Sequence, residues 1–222
     1  MHAAADPQIQ WTANASCRTV TAMDRLEKTS GSDEPASAPS RDVASDGSGT
    51  ARPVRREMTD AEMRRHLAEV GEHLAARGLT GEIVLAGGAV MVMALHARGG
   101  SSDIDAVFTH AADAIRRAAG EVADAHGLPA MWLNDHVRVF VAQDAPTVEL
   151  FEVPGLRVRM VRLDYLFYMK AWAGDPIDQR DLRTIAKVLG VTDEHEAYEI
   201  VRRYSPGELS QEVQILLESL FE

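Results

Sequence analysis

The fold of this chain is organised around GEIVLAGGAVMVMALHARGGSSDIDAVF, residues 81–108. Its apolar run IVLA is bounded by glycines and has the length of a buried strand. Gly87 and Gly88 follow, which predicts a sharp turn with free backbone N–H groups at the start of a helix over residues 89–97. A second glycine break leads into a strand over residues 103–108. This order of strand, glycine turn, helix and strand predicts a mixed α/β (α+β) core.

Two acids, Asp103 and Asp105, lie at the start of the second strand with one residue between them. That spacing places both carboxylates on one face of a strand. Like charges so close repel, and one would take up a proton unless a cation lies between them. Carboxylate oxygens suit Mg²⁺ or Mn²⁺, and Mg²⁺ completes its shell with water and substrate phosphates. A glycine turn for phosphate and a carboxylate pair for metal together predict nucleotidyl transfer; the alternative for the acids is a polar turn that leads into a strand.

The succession of a strand, Gly87-Gly88, a helix and Asp103-x-Asp105 resembles the signature of the nucleotidyltransferase superfamily, which has a DNA polymerase beta-like fold. The chain is most similar to small bacterial members, the minimal nucleotidyltransferases and the AbiEii-like toxins of toxin–antitoxin systems. A second segment, LDYLFYMKAWAGDPIDQRDL at residues 163–182, is similar to one common in that branch. A nucleotidyltransferase-like mixed sheet flanked by helices is therefore expected.

The resemblance covers about residues 81–204 and implies a Mg-dependent enzyme that moves a nucleoside monophosphate from a nucleoside triphosphate to an acceptor hydroxyl. The acceptor would be tRNA or a protein, and the partner of such a toxin would be an antitoxin. The implied roles are metal ligation by Asp103 and Asp105, phosphate contact by Lys170, and an acidic helix with Asp178 and Asp181. This chain has Asp175 where those relatives usually carry an arginine, so the phosphate or base contact of that arginine is not expected.

Nucleotidyl transfer calls for a third carboxylate from a neighbouring strand. Glu149 and Glu152 are the candidates; a regular strand over residues 147–153 places them on opposite faces, so at most one points at the metal. Glu149 is slightly favoured and Glu152 stays open.

Other interpretations of these residues remain open. Lys170 lies in an apolar helix and could extend its amine to solvent. Asp178 could be a first-turn acid that stabilises the helix dipole. The glycine turn lacks the GxGxxG spacing of a dinucleotide site. A non-catalytic module of the same fold, binding a nucleotide or a protein, is the alternative function.

The composition bounds the remaining possibilities. The chain has 222 residues, a formal net charge of −11 and one cysteine, Cys17, which excludes an intrachain disulfide and a cysteine zinc cluster. The acidic balance argues against broad attraction to nucleic acid or anionic membrane. No apolar run reaches the roughly 18 residues of a membrane span, and a cytoplasmic protein is expected.

Three regions are predicted. Residues 1–56 are rich in Ser, Ala, Asp, Gly and Pro and are expected to be disordered. Residues 57–162 form the nucleotidyltransferase-like core, and residues 163–222 form a helical portion packed on it. Further strands are expected over residues 137–141, 147–153 and 156–161, with a hairpin turn at Pro154-Gly155. Further helices are expected over residues 59–78, 111–126, 163–172, 177–189, 193–204 and 208–221.

Overall fold

The computed structural model of the chain describes residues 56–174, 178–205 and 207–222. These residues form the mixed α/β structure that the sequence predicts. The predicted disordered tail, apart from Arg56, and Asp175 lie outside the described residues. The described elements are α1 (Asp60–Ala75), β1 (Gly81–Leu85), α2 (Gly87–Met93), β2 (Ile104–His110), α3 (Ala112–His126), β3 (Leu133–Asn134), a 3₁₀ helix (His136–Val139), β4 (Thr147–Val153), β5 (Leu156–Val161), α4 (Leu163–Ala173), α5 (Gln179–Leu189), α6 (Glu194–Tyr204) and α7 (Gln211–Glu218).

The strands make one mixed sheet in the order β3-β2-β1-β5-β4. Strand β1 is central; it pairs antiparallel with β2 and parallel with β5. Strands β4 and β5 form the antiparallel hairpin that the Pro154-Gly155 turn predicts. Strand β3 pairs in parallel with β2 at the opposite edge.

Helices α1 and α3 cover one face of this sheet. A Cβ placed on Gly81 would lie 2.9 Å from Leu74 of α1 and 3.0 Å from Ile115 of α3, so the two helices meet the face that Gly81 shares with Ile83 and Leu85. All four apolar side chains named here are fully buried. Helix α1 starts with a capping box, in which Thr59 Oγ1 accepts a hydrogen bond from the backbone N–H of residue 62.

Strand β2 shows which face is left for chemistry. Ile104, Ala106 and Phe108 are buried against the helices, whereas Asp105 and Val107, which alternate with them, are only half-buried. Asp105 therefore points to the face of the sheet opposite α1 and α3.

The strand predicted over residues 137–141 is wrong: the structure has a 3₁₀ helix there. Val139 and Phe140 are 79% and 72% exposed, so they offer no buried face to a sheet. Asn134 Oδ1 accepts a hydrogen bond from the backbone N–H of His136 at 3.1 Å and starts the turn. The sheet is extended instead by β3, just before this turn.

Several helix boundaries also differ from prediction, among them those of α1, which ends at Ala75, of α2 and of the last helix. Helix α2 is shorter than expected because His96 takes a left-handed backbone conformation, φ 49°, and the chain leaves the helix before it. The last helix starts later than predicted, since its N-cap is Ser210, whose Oγ accepts from the backbone N–H of Val213. Ser205 is the C-cap residue of α6.

A buried carboxylate joins the start of α4 to α6. Asp164 is 8% exposed and accepts two hydrogen bonds from Arg162, at 2.7 and 2.6 Å, and one from the Tyr204 hydroxyl at 2.7 Å. Burial alone would raise the pKa of Asp164, but the hydrogen bonds from Arg162 and Tyr204 outweigh it and the pKa is lowered. The ionised carboxylate thus links the start of α4 to the end of α6 within the helical portion.

We expect Asp164→Ala to lower the free energy of unfolding at pH 7 by about 3 kcal/mol, because it leaves Arg162 without its partner. Since the folded pKa of Asp164 is lowered, this contribution is present above the unfolded pKa of about 3.9 and is lost as pH falls through the folded pKa. Urea unfolding at pH 7 and pH 3 checks this. The control is Asp113→Ala, whose side chain is 86% exposed; a deficit equal at both pH values, or equal to that of the control, would contradict the assignment.

Candidate functional site

The glycine turn and the carboxylates meet at the ends of β1 and β2. Gly87 has a φ of 59°, a left-handed conformation that favours glycine. A Cβ placed on it would lie 3.3 Å from Asp105 Oδ2. The backbone N–H of Ala86, just before the turn, donates to the Asp105 carbonyl at 3.0 Å. The antiparallel pairing of β1 with β2 thus brings the two halves of the predicted site into contact.

Asp103 and Asp105 lie close enough for their charges to interact. Burial, followed by the charge of Asp103, raises the pKa of Asp105. The neighbouring side chains of Asn134 and His136 act in the opposite direction. A divalent cation bound between the two carboxylates would relieve their mutual repulsion, because it supplies the missing positive charge.

Asn134 and His136 are site residues that sequence reasoning did not identify. Asn134 stands opposite Asp105 in the β2–β3 pairing and is 3% exposed. His136 follows in the exposed 3₁₀ helix. They lie near Asp105 because β3 pairs with β2. That pairing could not be predicted, because a two-residue strand is too short to show a hydrophobic periodicity.

Gly88 faces a hydroxyl and a guanidinium. A Cβ placed on Gly88 would lie 3.0 Å from Ser101 Oγ and 3.7 Å from Arg98 Nη1. Both groups can donate hydrogen bonds to an anion. The sequence offered no periodic signal for Arg98, which comes after the end of α2.

Arg98 connects this turn to the second sequence segment. Its Nε and Nη2 donate to Asp181 Oδ1 and Oδ2 at 2.9 and 2.6 Å, a two-bond contact across 83 residues of chain. Lys170 Nζ lies 2.8 Å from Asp181 Oδ2 and 2.5 Å from Asp178 Oδ1. Lys170 and Asp181 are 7% and 2% exposed. The four side chains form what we call the ion cluster, with two positive and two negative groups.

The ion cluster bears on two of the open interpretations. The Lys170 amine does not extend to solvent but is bound by two carboxylates. Asp178 is the N-cap residue of α5, yet its side chain makes no capping hydrogen bond and contacts Lys170 instead. The predicted phosphate contact of Lys170 stays a prediction, and in the structure Arg98 is the cation next to the glycine turn.

The candidate third carboxylates lie elsewhere in the sheet. Glu149 is on β4, three strands from β2, a separation of about 14 Å at roughly 4.8 Å per strand. The predicted opposite faces of Glu149 and Glu152 are wrong. A bulge between residues 149 and 151 puts Glu149 opposite Arg159 and Glu152 opposite Arg157, so both glutamates share one face of the sheet. The pairing does not bring either to Asp105.

One further cluster could hold a metal ion. Within the part of the chain that the structure describes, the group of three or more metal-ligating side chains with converging atoms is His66, Glu69 and His126. It lies on α1 and α3, on the face of the sheet opposite to Asp105. Among the same residues, no third His, Cys, Asp or Glu joins Asp103 and Asp105 in such a group.

Comparison with protein-family models, with curated proteins and with solved structures gave no match to this chain. Within residues 56–174, 178–205 and 207–222, no helix is long and apolar enough to cross a membrane. The five-stranded mixed sheet and its helices define the class of this protein as mixed α/β.

Proposed function

We propose that this protein is a Mg-dependent nucleotidyltransferase, with Mn²⁺ as an alternative metal. The observation that carries the proposal is the contact between the Gly87 turn and Asp105 at the shared end of β1 and β2. The donor set fits the metal, because Asp103 and Asp105 supply carboxylate oxygens whose charges interact. Hard oxygen ligands of this kind suit Mg²⁺.

The proposed residues have separate roles. Asp103 and Asp105 would hold the metal, which when bound neutralises charge on the triphosphate and lowers the pKa of the attacking hydroxyl. The backbone N–H groups of Gly87 and Gly88 would bind phosphate oxygens, helped by Ser101 Oγ. The acceptor hydroxyl gives up its proton to solvent as its oxygen bonds to the α-phosphorus. The bond between the α-phosphorus and the oxygen that bridges to the β-phosphorus breaks, and pyrophosphate leaves.

Arg98 is the cation that we place at the phosphates. It lies beside Gly88 and keeps its side chain 33% exposed while bound to Asp181. Asp181 and Lys170 are then positioning residues, because they fix the guanidinium through the ion cluster. A direct phosphate contact of Lys170 would require it to leave Asp178 and Asp181.

The acceptor and partners follow from the resemblance to AbiEii-like toxins. A tRNA or protein hydroxyl is the proposed acceptor, and an antitoxin is the proposed protein partner. The formal net charge of −11 favours a specific acceptor over general binding to nucleic acid. A cytoplasmic location fits these substrates.

Labelled triphosphates test the proposal. Purified full-length protein is incubated with each α-labelled nucleoside triphosphate, Mg²⁺, and either total tRNA or cell lysate. We expect one triphosphate to label one class of acceptor, and chelation of Mg²⁺ to stop the labelling. Absence of transfer with all four triphosphates, under conditions where nucleotide binding is measurable, would contradict the proposal.

A non-catalytic module that binds a nucleotide or a protein is the second candidate. The observation in its favour is the placement of Glu149 and Glu152 away from the carboxylate pair. Such a module should bind its partner with Asp103→Ala and Asp105→Ala in place, whereas the enzyme loses turnover.

The glycine turn gives a specific prediction. Gly87→Ala puts a methyl group 3.3 Å from Asp105 Oδ2 in a left-handed backbone conformation. We expect transfer to fall at least about 10-fold, since a small displacement of a catalytic group has large effects on rate. Gly99→Ala is the matched control, because a Cβ there meets no atom within 4 Å. Equal rates for the two variants would contradict a role for the turn.

A further inference from the structure

The second cluster, His66, Glu69 and His126, is independent of the proposed active site. His66 and Glu69 lie one helical turn apart on α1, and His126 is the last residue of α3. These helices cover the face of the sheet opposite to Asp105. No residue of this cluster is used in the proposed nucleotidyl transfer.

The three side chains converge. One ligand atom from each lies within 4.8 Å of the other two. His126 Nε2 lies 2.5 Å from Glu69 Oε2, and His66 Nδ1 lies 4.0 Å from Glu69 Oε1. The two imidazole rings are close, with centroids 4.7 Å apart. Two imidazoles and a carboxylate from two helices are thus directed at one small volume.

His66 carries the observation that points to a ligand. The residue is 3% exposed, and its Nδ1 has no hydrogen-bond partner among the described residues. A buried polar atom without a partner is destabilising. An imidazole nitrogen that carries no proton has a lone pair that can bind a metal ion. Trp132 packs edge-on against the ring, with centroids 5.7 Å apart, and limits its rotation.

A side-chain contact that links helix α1 to helix α3 would explain only part of this arrangement. A contact between Glu69 and His126 alone would link α1 to α3, as His73 and Glu121 do at 2.7 Å further along the same helices. It would not require a buried histidine with a free nitrogen beside the pair. A metal ion would satisfy that nitrogen.

We propose that His66, Glu69 and His126 bind a zinc ion between α1 and α3. Two histidines and a glutamate are a known zinc ligand set, with a fourth position left for water. Tetrahedral geometry separates the ligand atoms by about 3.3 Å, so the Glu69–His126 contact opens and His66 draws closer. Glu69 and His126 are 27% and 36% exposed, which gives the ion a path from solvent.

The bound ion would link helix α1 to helix α3 on the face of the sheet opposite to Asp105. Trp132, which contacts His66, directly precedes β3, and its indole N–H donates to the Ala119 carbonyl of α3 at 3.0 Å. Zinc binding is therefore expected to stabilise the folded chain, because it favours the folded over the unfolded state.

Zinc titration of the metal-free full-length protein tests the site, with excess Mg²⁺ present to occupy carboxylate sites. We expect one zinc ion with a Kd of about 1 µM or below. The midpoint of thermal unfolding should rise by about 5–10 °C. Co²⁺ in place of Zn²⁺ should give the visible absorption of a four-coordinate site.

Variants locate the ion. Glu69→Gln and His126→Gln are expected to weaken zinc binding at least about 100-fold. Both positions are partly exposed, so folding, checked by circular dichroism, is expected to persist. His73→Gln is the matched control, an exposed histidine of α1 paired with an acid of α3, and should bind zinc as wild type does. Weak or absent zinc binding by the wild type would overturn the proposal. Equal binding by all the variants would overturn it too, because the ion would then be bound by other residues, such as His2 or Cys17.

Discussion

Replacing Asp103 and Asp105 together by asparagine is expected to lower nucleotidyl transfer at least about 1,000-fold, equivalent to roughly 4 kcal/mol of transition-state stabilisation. The amides keep the size of the acids and lose the charge that the metal requires. The measurement is the initial rate of transfer from the α-labelled triphosphate, at saturating Mg²⁺, in the two proteins.

The same variant should not be less stable. Because the pKa of Asp105 is raised, its ionised form is disfavoured in the folded chain, and the penalty is present at pH values above the unfolded pKa. Asparagine removes this penalty, so the free energy of unfolding at pH 7 should rise by about 1 kcal/mol. Asp124→Asn, on the exposed side of α3, is the control. A variant that loses activity only because it unfolds would contradict this account.

Lys170→Met is expected to lower the free energy of unfolding by about 3 kcal/mol, since it leaves Asp178 and Asp181 without their shared cation. Arg98 still neutralises part of the Asp181 charge. Adding Asp178→Asn should restore part of the loss, because one unpaired carboxylate is then removed. Urea unfolding of the single and double variants measures both effects.

The Lys170 experiment also separates positioning from a direct phosphate contact. Lys187→Met, an exposed lysine of α5, serves as the control and should leave stability unchanged. If Lys170→Met folds as stably as wild type and yet loses transfer, the lysine acts on the substrate itself. That outcome would contradict its assignment as a positioning residue held by two carboxylates.

Most of the fold could be predicted from local patterns. The capping box at Thr59 and the apolar spacing that follows it define α1, and Pro154-Gly155 between two strand patterns defines the hairpin. These signals work because they depend on neighbours in sequence. The strand β3 and the 3₁₀ helix after it could not be predicted, since a pair of residues has no period and Val139 and Phe140 are apolar yet exposed.

In the site, too, features that depend on sequence neighbours could be predicted, whereas features that depend on distant contacts could not. The sequence predicts that the glycine turn and the carboxylate pair act together, but the contact of Gly87 with Asp105 depends on the antiparallel pairing of β1 with β2. The bond between Arg98 and Asp181 spans 83 residues and exists only because the helical portion packs on the core. The shared face of Glu149 and Glu152 depends on a bulge, which reverses the alternation that a regular strand would have.

The most direct test of the central claim compares α-labelled with γ-labelled triphosphate in the wild-type protein with Mg²⁺ and the acceptor. Nucleotidyl transfer predicts that the α-label appears on the acceptor while the γ-label appears in pyrophosphate. Loss of the acceptor label in the Asp103→Asn/Asp105→Asn variant would connect the reaction to the carboxylate pair. Acceptor labelling from the γ-position would indicate phosphoryl transfer and contradict the account, as would α-labelling that persists in the variant.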